Sequence, residues 1–506
     1  MRASRLQFTH KMDKELLLGI DIGTQGAKGI LCDLKGSVLA SAYHEQAIHS
    51  SHPGWAEHDA ERDWWGTFIS IIKEMLTETQ VDPARIAAVG ISAFVPAMLA
   101  LDSIGHPLRP AILYPDRRSE GELEHLKKSM RKAGYPEEEV TTFGLASPIL
   151  QLLWVKNHEP DTFRSISKIT QCQSYIIYRL TEEHVIDHAM KFSYAPLYDP
   201  MLDGWSQSRG DDFNLDIRTL PDQILWSTQI AGKVTRVAAE QTGLMEGTPV
   251  SAGTADAFAE MVGAGVVHPG AACALYGSLT TILIGQDHTD HPYHGYHCLP
   301  DLFFSGAAVH TGASLTKWFR DEFGQQELAF ESETGQSAYQ FLEQIALEVP
   351  PGCDGLIALP FFSGEKSRLH PALNQGALVG LTTSHSRGHI YRALLEGIAF
   401  ELRYQLGLEG SIPAAMNAVG GGSRNRLWTQ IVSDVLGSTQ SVLDNPYGAA
   451  LGDAYLAGMA IGLFSDMAPL LKDWIRVQRV VHPSPERKNS YSLPYEAYIR
   501  VREMVL

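Results

Sequence analysis

Cysteine is scarce in this chain: five in 506 residues, at positions 32, 172, 273, 298 and 353, an odd number in no metal-binding spacing. That argues against a disulfide framework or a thiolate metal site, and fits free, mostly buried thiols in a reducing cytoplasm. Long apolar runs are also missing; no stretch approaches the ~20 residues that span a bilayer. Positive charge is short: 41 Lys and Arg against 58 Asp and Glu give a net charge of −17. Such a balance speaks against nucleic acid or an anionic membrane as partner. It does not forbid a small anionic ligand, because a local nest of backbone N–H groups can override the global field. Residues 1–13 are polar, with no apolar core, and read as a loose tail instead of a signal peptide, Met12 being an alternative start. Two nucleotide signatures are absent as well. No G-x-x-x-x-G-K-[ST] occurs, since "SGEKS" at 363–367 is too short, and the first glycine turn leads into a strand, where a dinucleotide fingerprint needs a helix.

What is present begins with "LLLGIDIGTQGAKGILCDLKGSVLASAY". Its alternation predicts strands at 16–21, 27–32 and 38–43, with Leu34-Lys35-Gly36-Ser37 as a hairpin turn. The period then changes. Trp64, Trp65, Phe68, Ile71, Ile72, Met75 and Leu76 fall on one helical face, with Asp59 placed as N-cap. Residues 117–215 read as mostly helical with many loops. At Pro249 the opening layout restarts: "PVSAGTADAFAEMVGAG" is strand, glycine turn and small-residue helix, and "GAACALYGSLTTILIGQD" is strand, Gly277-Ser278 turn, strand. A helix at 388–406, the glycine turn "AVGGGSRN" and the small-residue run "NPYGAALGDAYLAG" follow. A duplication is therefore expected, with two α/β domains and a central cleft.

The turn Asp21-Ile22-Gly23-Thr24-Gln25-Gly26 offers backbone N–H groups, a hydroxyl and a carboxylate. Glycines let phosphate oxygens come close; a carboxylate beside phosphate makes sense only with Mg²⁺ or its water between them. An ordinary tight turn explains this stretch alone equally well. Gly277-Ser278 and "GGGS" at 420–423 supply two further loops where backbone can approach a ligand.

Together these segments resemble the FGGY carbohydrate kinases, from about Leu16 to the last helices. The resemblance is carried by "GIDIGTQGAKGILCD", "HPGWAEHDAERDWW", "GISAFVPAMLALDSIGHPLRPAILYPDRRS", "LLWVKNHEPDTFRSI", "AGTADAFAEMVGAG", "VPPGCDGLIALPFFSGEKS", "GALVGLTTSHSRGHIYRALLEGIAFELR" and "AVGGGSRNRLWTQIVSDVLG". The family implies an actin-like, ribonuclease-H-like duplicated α/β fold. It implies an N-terminal domain at 14–257 for sugar and phosphate, a C-terminal domain at 258–506 for nucleotide, and ATP and Mg²⁺ as cofactors. Within it, the kinases of D-xylulose stand nearest, and transfer of the γ-phosphoryl of ATP to a ketopentose hydroxyl is the implied reaction; a homodimer is compatible with it.

By that resemblance Asp21 positions Mg²⁺. Gly23, Thr24 and Gln25 border the β- and γ-phosphates, and Gly277-Ser278 forms a second phosphate loop. Gly312, Gly421, Gly422 and Asn425 match adenosine-binding stretches. Asp256 matches the catalytic base; chemically, a sugar hydroxyl is a poor nucleophile and a nearby carboxylate can accept its proton. An N-cap role for Asp256 is compatible with that. Trp55, Asp116 and Arg118 match the sugar side, although core packing of Trp55 and an Asp116–Arg118 salt bridge are the plain structural readings. Lys28 reads as a solvated strand position.

Two departures bear on the substrate. Kinases of D-xylulose carry a Met-His pair where this chain has Val95 and Pro96, and commonly Asn where it has Ala257. Both changes take polar groups out of the expected sugar pocket, which alters which hydroxyls are accepted. Ribulose, L-xylulose or erythritol are the alternatives. An actin-like ATPase switch would need no sugar site, and an inactive sensor would lack Asp21 or Asp256. The run "HTDHPYHGYHC" at 288–298 has mixed histidine spacing and reads as a surface or lid loop, with metal binding the lesser reading.

Overall fold

A computed structural model describes residues 15–289, 295–362, 375–410 and 412–505. The tail read at 1–13 lies outside these residues, as do His291 and His294 of the histidine run.

The opening alternation folds as an antiparallel meander of β1 (Leu16–Ile22), β2 (Gly26–Asp33) and β3 (Val38–Glu45), with Asp21 opposite Lys28. Asp33 shapes the second turn by accepting the N–H groups of Lys35 and Ser37 at 2.8 and 2.9 Å. Next come β4 (Ile86–Ala93), β5 (Ile230–Lys233) and β6 (Pro249–Ser251). The sheet order is β5-β6-β4-β1-β2-β3, and a short strand, Thr254–Ala255, also pairs with β4. β4 runs parallel to β1 and β6 parallel to β4, while β5 is antiparallel to β6.

The same plan recurs later. The strands β7 (Ala272–Tyr276), β8 (Thr280–Gln286), β9 (Phe303–Val309), β10 (Ala415–Val419), β11 (Thr439–Leu443) and β12 (Val477–Val481) stand in the order β9-β8-β7-β10-β11-β12. Again a three-stranded antiparallel meander is flanked by two parallel strands and an antiparallel edge strand, which here comes last in the chain whereas β5 precedes β6 in the first sheet. The expected duplication is thus a repeat of topology as well as of turn composition.

The chain forms two compact units, but not by a single cut. The first runs to Gly263 and takes in His288–Leu302 and Tyr447–Trp474; the second holds Ala264–Asp287, Phe303–Pro446 and Ile475–Leu506. The boundary expected at 257/258 falls inside one helix, α2 (Asp256–Gly263), which stays whole in the first unit because it packs on α5 (Ala449–Ala460). Helix α5 also lies against β1 and β4. Added Cβ atoms at Gly19 and Gly90 would sit 2.0 Å from the carbonyl oxygens of Ala450 and Asp453, and one at Gly452 would sit 2.0 Å from that of Ala259 in α2. Small residues thus let backbone meet backbone.

α1 (Thr67–Thr79) covers the first sheet with Phe68, Ile71, Ile72 and Met75, as its periodicity predicts. It is preceded by a wide π-type segment, Ala60–Gly66, capped by Asp59, whose Oδ1 accepts the N–H groups of Glu61 and Arg62 at 3.0 Å. A small antiparallel sheet of Glu57–His58, Ala97–Leu101, Ala111–Leu113 and Lys168–Thr170 completes the frame around the candidate sugar-side residues. All five cysteines are buried. Among the described residues, no helix is long and apolar enough to cross a membrane.

Candidate active site

In the first unit, strand ends and one helix start gather carboxylates. Asp21 stands near the end of β1, Ser92 at the paired position of β4, and Asp453 on the inward face of α5. The Ser92 hydroxyl is 3.1 Å from Asp21 Oδ1 and 2.7 Å from Asp453 Oδ2. Asp256 opens α2, where its Oδ1 accepts the Ala257 N–H at 2.7 Å, and Glu260 follows one turn later. Burial raises the Asp256 carboxyl to about 6, against the pull of that N–H. Burial, then Asp256, raises Asp21 well above the usual carboxylate range, with Ser92 and Lys28 acting the other way. Glu260 is pushed to about 7 by burial and by Asp256. Lys28 is therefore not merely a solvated position: it is half-buried and its ammonium acts on Asp21 and Glu260.

Crowded carboxylates of raised pKa are an environment for a hard cation. Among the described residues no group of three or more His, Cys, Asp or Glu forms a self-sufficient metal cage. The Asp21 carboxylate is the donor type that Mg²⁺ takes, commonly one or two carboxylates with the shell completed by water and substrate phosphate. Beside a bound cation the upward shift of Asp21 would reverse.

The loop after Asp21 closes through Gly23 N–H on the Gly26 carbonyl at 2.9 Å, leaving Thr24 and Gln25 at its tip. Gln25 is anchored through its carbonyl, which accepts the Gln46 N–H at 2.9 Å.

On the sugar side, Arg118 has a side chain only 1% exposed. Its Nε and one terminal nitrogen bond Asp116 at 2.9 and 2.8 Å, and the other terminal nitrogen lies 2.9 Å from Glu57. Its guanidinium carbon sits 3.7 Å from the centre of the Trp55 ring. Asp116 also accepts the Ala56 N–H at 2.6 Å. This geometry is that of a buried brace behind Trp55. Trp55 is half-buried, edge-on to Trp154 at 5.4 Å. Val95, half-buried like Pro96, packs with Trp55 and Phe258 on one apolar cluster. Val95 and Pro96, two of the three positions that depart from the D-xylulose kinases, are thus half-buried apolar residues in the structure.

The second unit holds a cavity of about 560 Å³ lined by Gly277, Ser278, Gly421, Gly422 and Asn425, five of the residues expected at nucleotide. Tyr339, Tyr391, Trp428 and Glu343 complete its walls. Gly420 has φ +93°, the left-handed region, so the turn into Gly421 is one glycine makes easily. At Gly422 a Cβ would lie 2.6 Å from the Trp428 ring, so glycine lets the loop rest on that ring. Asn425 caps α4 (Arg426–Leu436), accepting the Trp428 N–H at 2.8 Å, and donates to Tyr391 Oη at 3.3 Å. Gly312 is not among the lining residues, although its neighbour Ala313 is; it precedes the helix Ala313–Phe323, and a Cβ there would meet Thr280 Oγ1 at 2.1 Å.

The aromatic lining was not identified from sequence, and neither were Ser92, Glu260 and Asp453. Glu260, one helical turn after Asp256, was findable by spacing; Asp453, the lone charge in "GAALGDAYLAG", by composition. The histidine run does not behave as a surface loop at its end: His297 and Cys298 are fully buried and belong to the first unit.

The sheet plan is that of a duplicated α/β protein, with a loop-lined cavity in one unit and clustered carboxylates in the other. The FGGY family of carbohydrate kinases matches twice, its N-terminal domain at residues 16–263 and its C-terminal domain at 271–461. The chain belongs to that family. It is 26% identical to a xylulose kinase of Staphylococcus epidermidis, over 96% of both chains. It is also 27% identical to a gluconokinase of Bacillus subtilis, over 88% of both. A crystal structure of xylulose kinase from Rhodospirillum rubrum superimposes with a TM-score of 0.84 at 30% identity, covering 97% of this chain and 98% of that one.

Proposed function

We propose that this carbohydrate kinase uses ATP and Mg²⁺ to phosphorylate a hydroxyl of a ketopentose, D-xylulose first among them. The observation that carries the reading is Asp256, at the first turn of α2, close enough to Asp21 to raise its pKa. Asp256 accepts the proton of the acceptor hydroxyl as the oxygen–phosphorus bond forms and ADP leaves. A value of about 6 keeps it mainly ionised at neutral pH while leaving it a better base than a surface carboxylate. Asp21 would hold the cation, which supplies positive charge beside the phosphoryl group. The loop Gly23–Gly26 and the turn Gly277-Ser278 offer N–H groups to phosphate oxygens, and the cavity around Gly421, Gly422 and Asn425 takes the nucleoside. Trp55 presents an apolar ring to the sugar, braced from behind by Arg118.

A second acceptor class has support. Pro96 stands where the D-xylulose kinases carry a histidine, and a gluconokinase is 27% identical over 88% of this chain, against 26% over 96% for a xylulose kinase. ADP release measured across D-xylulose, L-xylulose, ribulose, erythritol and gluconate decides between them. Strongest stimulation by D-xylulose supports the first reading, and by gluconate the second. Turnover indifferent to every acceptor would instead mark an ATPase switch.

A further inference from the structure

His58 lies on the short strand Glu57–His58 and is fully buried, edge-on to Phe94 at 5.5 Å. The indole N–H of Trp64 donates to its Nδ1 at 3.0 Å. Burial drives the ring pKa down to about 4, so the imidazole is neutral at physiological pH. A neutral ring whose Nδ1 accepts a hydrogen bond carries its one proton on Nε2. That Nε2 is buried and makes no hydrogen bond among the described residues. The backbone of Thr24, at the tip of the Asp21–Gly26 loop, already approaches the ring closely enough to favour its protonated form, as a long main-chain hydrogen bond does. A buried N–H whose acceptor stands beyond ordinary hydrogen-bond geometry is destabilising, so its persistence calls for a reason.

We propose that His58 is a positioning residue of the phosphate loop: Trp64 fixes its tautomer so that Nε2–H stands ready for the Thr24 carbonyl, and the hydrogen bond completes when a triphosphate draws the loop onto the ring. The proposal rests on the kinase reading, since it needs nucleotide at that loop. His58 does not touch the reacting atoms. It sets where Thr24 and Gln25 present their N–H groups, and therefore how well the loop holds the transferring end of ATP. The Trp64 bond matters as much as the ring, because the other tautomer would turn a lone pair toward a carbonyl.

The test uses the whole enzyme labelled with ¹⁵N-histidine, its His58 signals assigned by their loss in His58→Gln. Without nucleotide, the proton should reside on Nε2. Adding Mg²⁺ and the non-hydrolysable analogue AMP-PNP should move the Nε2–H resonance downfield, as a hydrogen bond forms. In turnover, His58→Leu should raise KM for ATP by about tenfold while leaving KM for the sugar unchanged, the loss of about one hydrogen bond. His58→Gln, whose amide N–H can take the place of Nε2–H, should recover most of that. A proton on Nδ1, an Nε2–H resonance unmoved by analogue that calorimetry shows to be bound, or His58→Leu with the parent's KM for ATP each overturn the proposal. If His58→Leu fails to fold, the resonance in the parent enzyme decides alone. Calorimetry that finds no AMP-PNP binding brings down the kinase reading together with this one; absence of sugar-stimulated ADP release with the resonance shifted brings down only the former.

Discussion

At the scale of single residues, the proposed chemistry turns on carboxylates held where ionisation is disfavoured. Asp256→Asn keeps the shape and removes the base. Sugar-dependent ADP release should fall by about 10²–10⁴-fold, with AMP-PNP affinity unchanged by calorimetry. The parent enzyme should lose kcat as pH falls through about 6, because the protonated carboxyl cannot accept the hydroxyl proton. That acid limb should be absent from whatever rate Asp256→Asn retains. Asp187 gives a separate stability signature. It is fully buried, takes one bond from Thr254 Oγ1 at 2.9 Å, and burial raises it to about 7. Its folded-state pKa lies above the unfolded value, so its contribution is complete below about pH 4 and is lost as pH rises through 7. The melting temperature of Asp187→Asn relative to the parent should therefore climb between pH 5 and 8.

At the scale of elements, glycines decide which helices lie flush on the sheet. Gly90→Ala would drive a methyl into the Asp453 carbonyl, and Gly19→Ala into that of Ala450, with backbone on both sides unable to yield cheaply. Each should lower the unfolding free energy by about 1–3 kcal/mol in urea titration. Gly121, inside the helix Glu120–Ala133, is the contrast: a Cβ there meets nothing within 4 Å. Gly121→Ala should stabilise by up to about 1 kcal/mol in the same titration.

Elements also show what the sequence could and could not disclose. The opening meander, the Asp59 cap and the buried face of α1 were legible because their signals are local: alternation, a capping side chain, a 3.6-residue period. The Gly277-Ser278 and Gly421-Gly422 loops could be named through glycine and through family resemblance. The aromatic walls could not, because Tyr339, Tyr391 and Trp428 come from three separate helices, and periodicity reports that a side chain is covered without saying what it faces. Arg118 was ambiguous for a related reason. Its partners Glu57 and Trp55 lie some sixty residues away, and only the small antiparallel sheet brings them together. His58 carried no signal at all, since its meaning lies in which nitrogen Trp64 occupies.

At the scale of the whole molecule, the buried carboxylates Asp21 and Asp256 reside in the first unit and the cavity around Gly421 and Asn425 in the second, so that on the proposed reading the duplication divides labour. The division does not follow chain order, because α5 returns from the far end to the first sheet. A chain ended at Pro446 should therefore be compromised in its first unit, not only shortened in its second. Limited proteolysis should find new cleavage within residues 16–263 that the full chain resists.

The same return of α5 has a consequence for biosynthesis. When the first 263 residues have emerged from the ribosome, the backbone groove formed by Gly19 and Gly90 has no occupant, and it gains one only after some two hundred further residues are translated. The nascent first half must wait, incompletely sealed, for its own closing piece, which makes the interval between those two moments the time at which a chaperone would matter most to this enzyme.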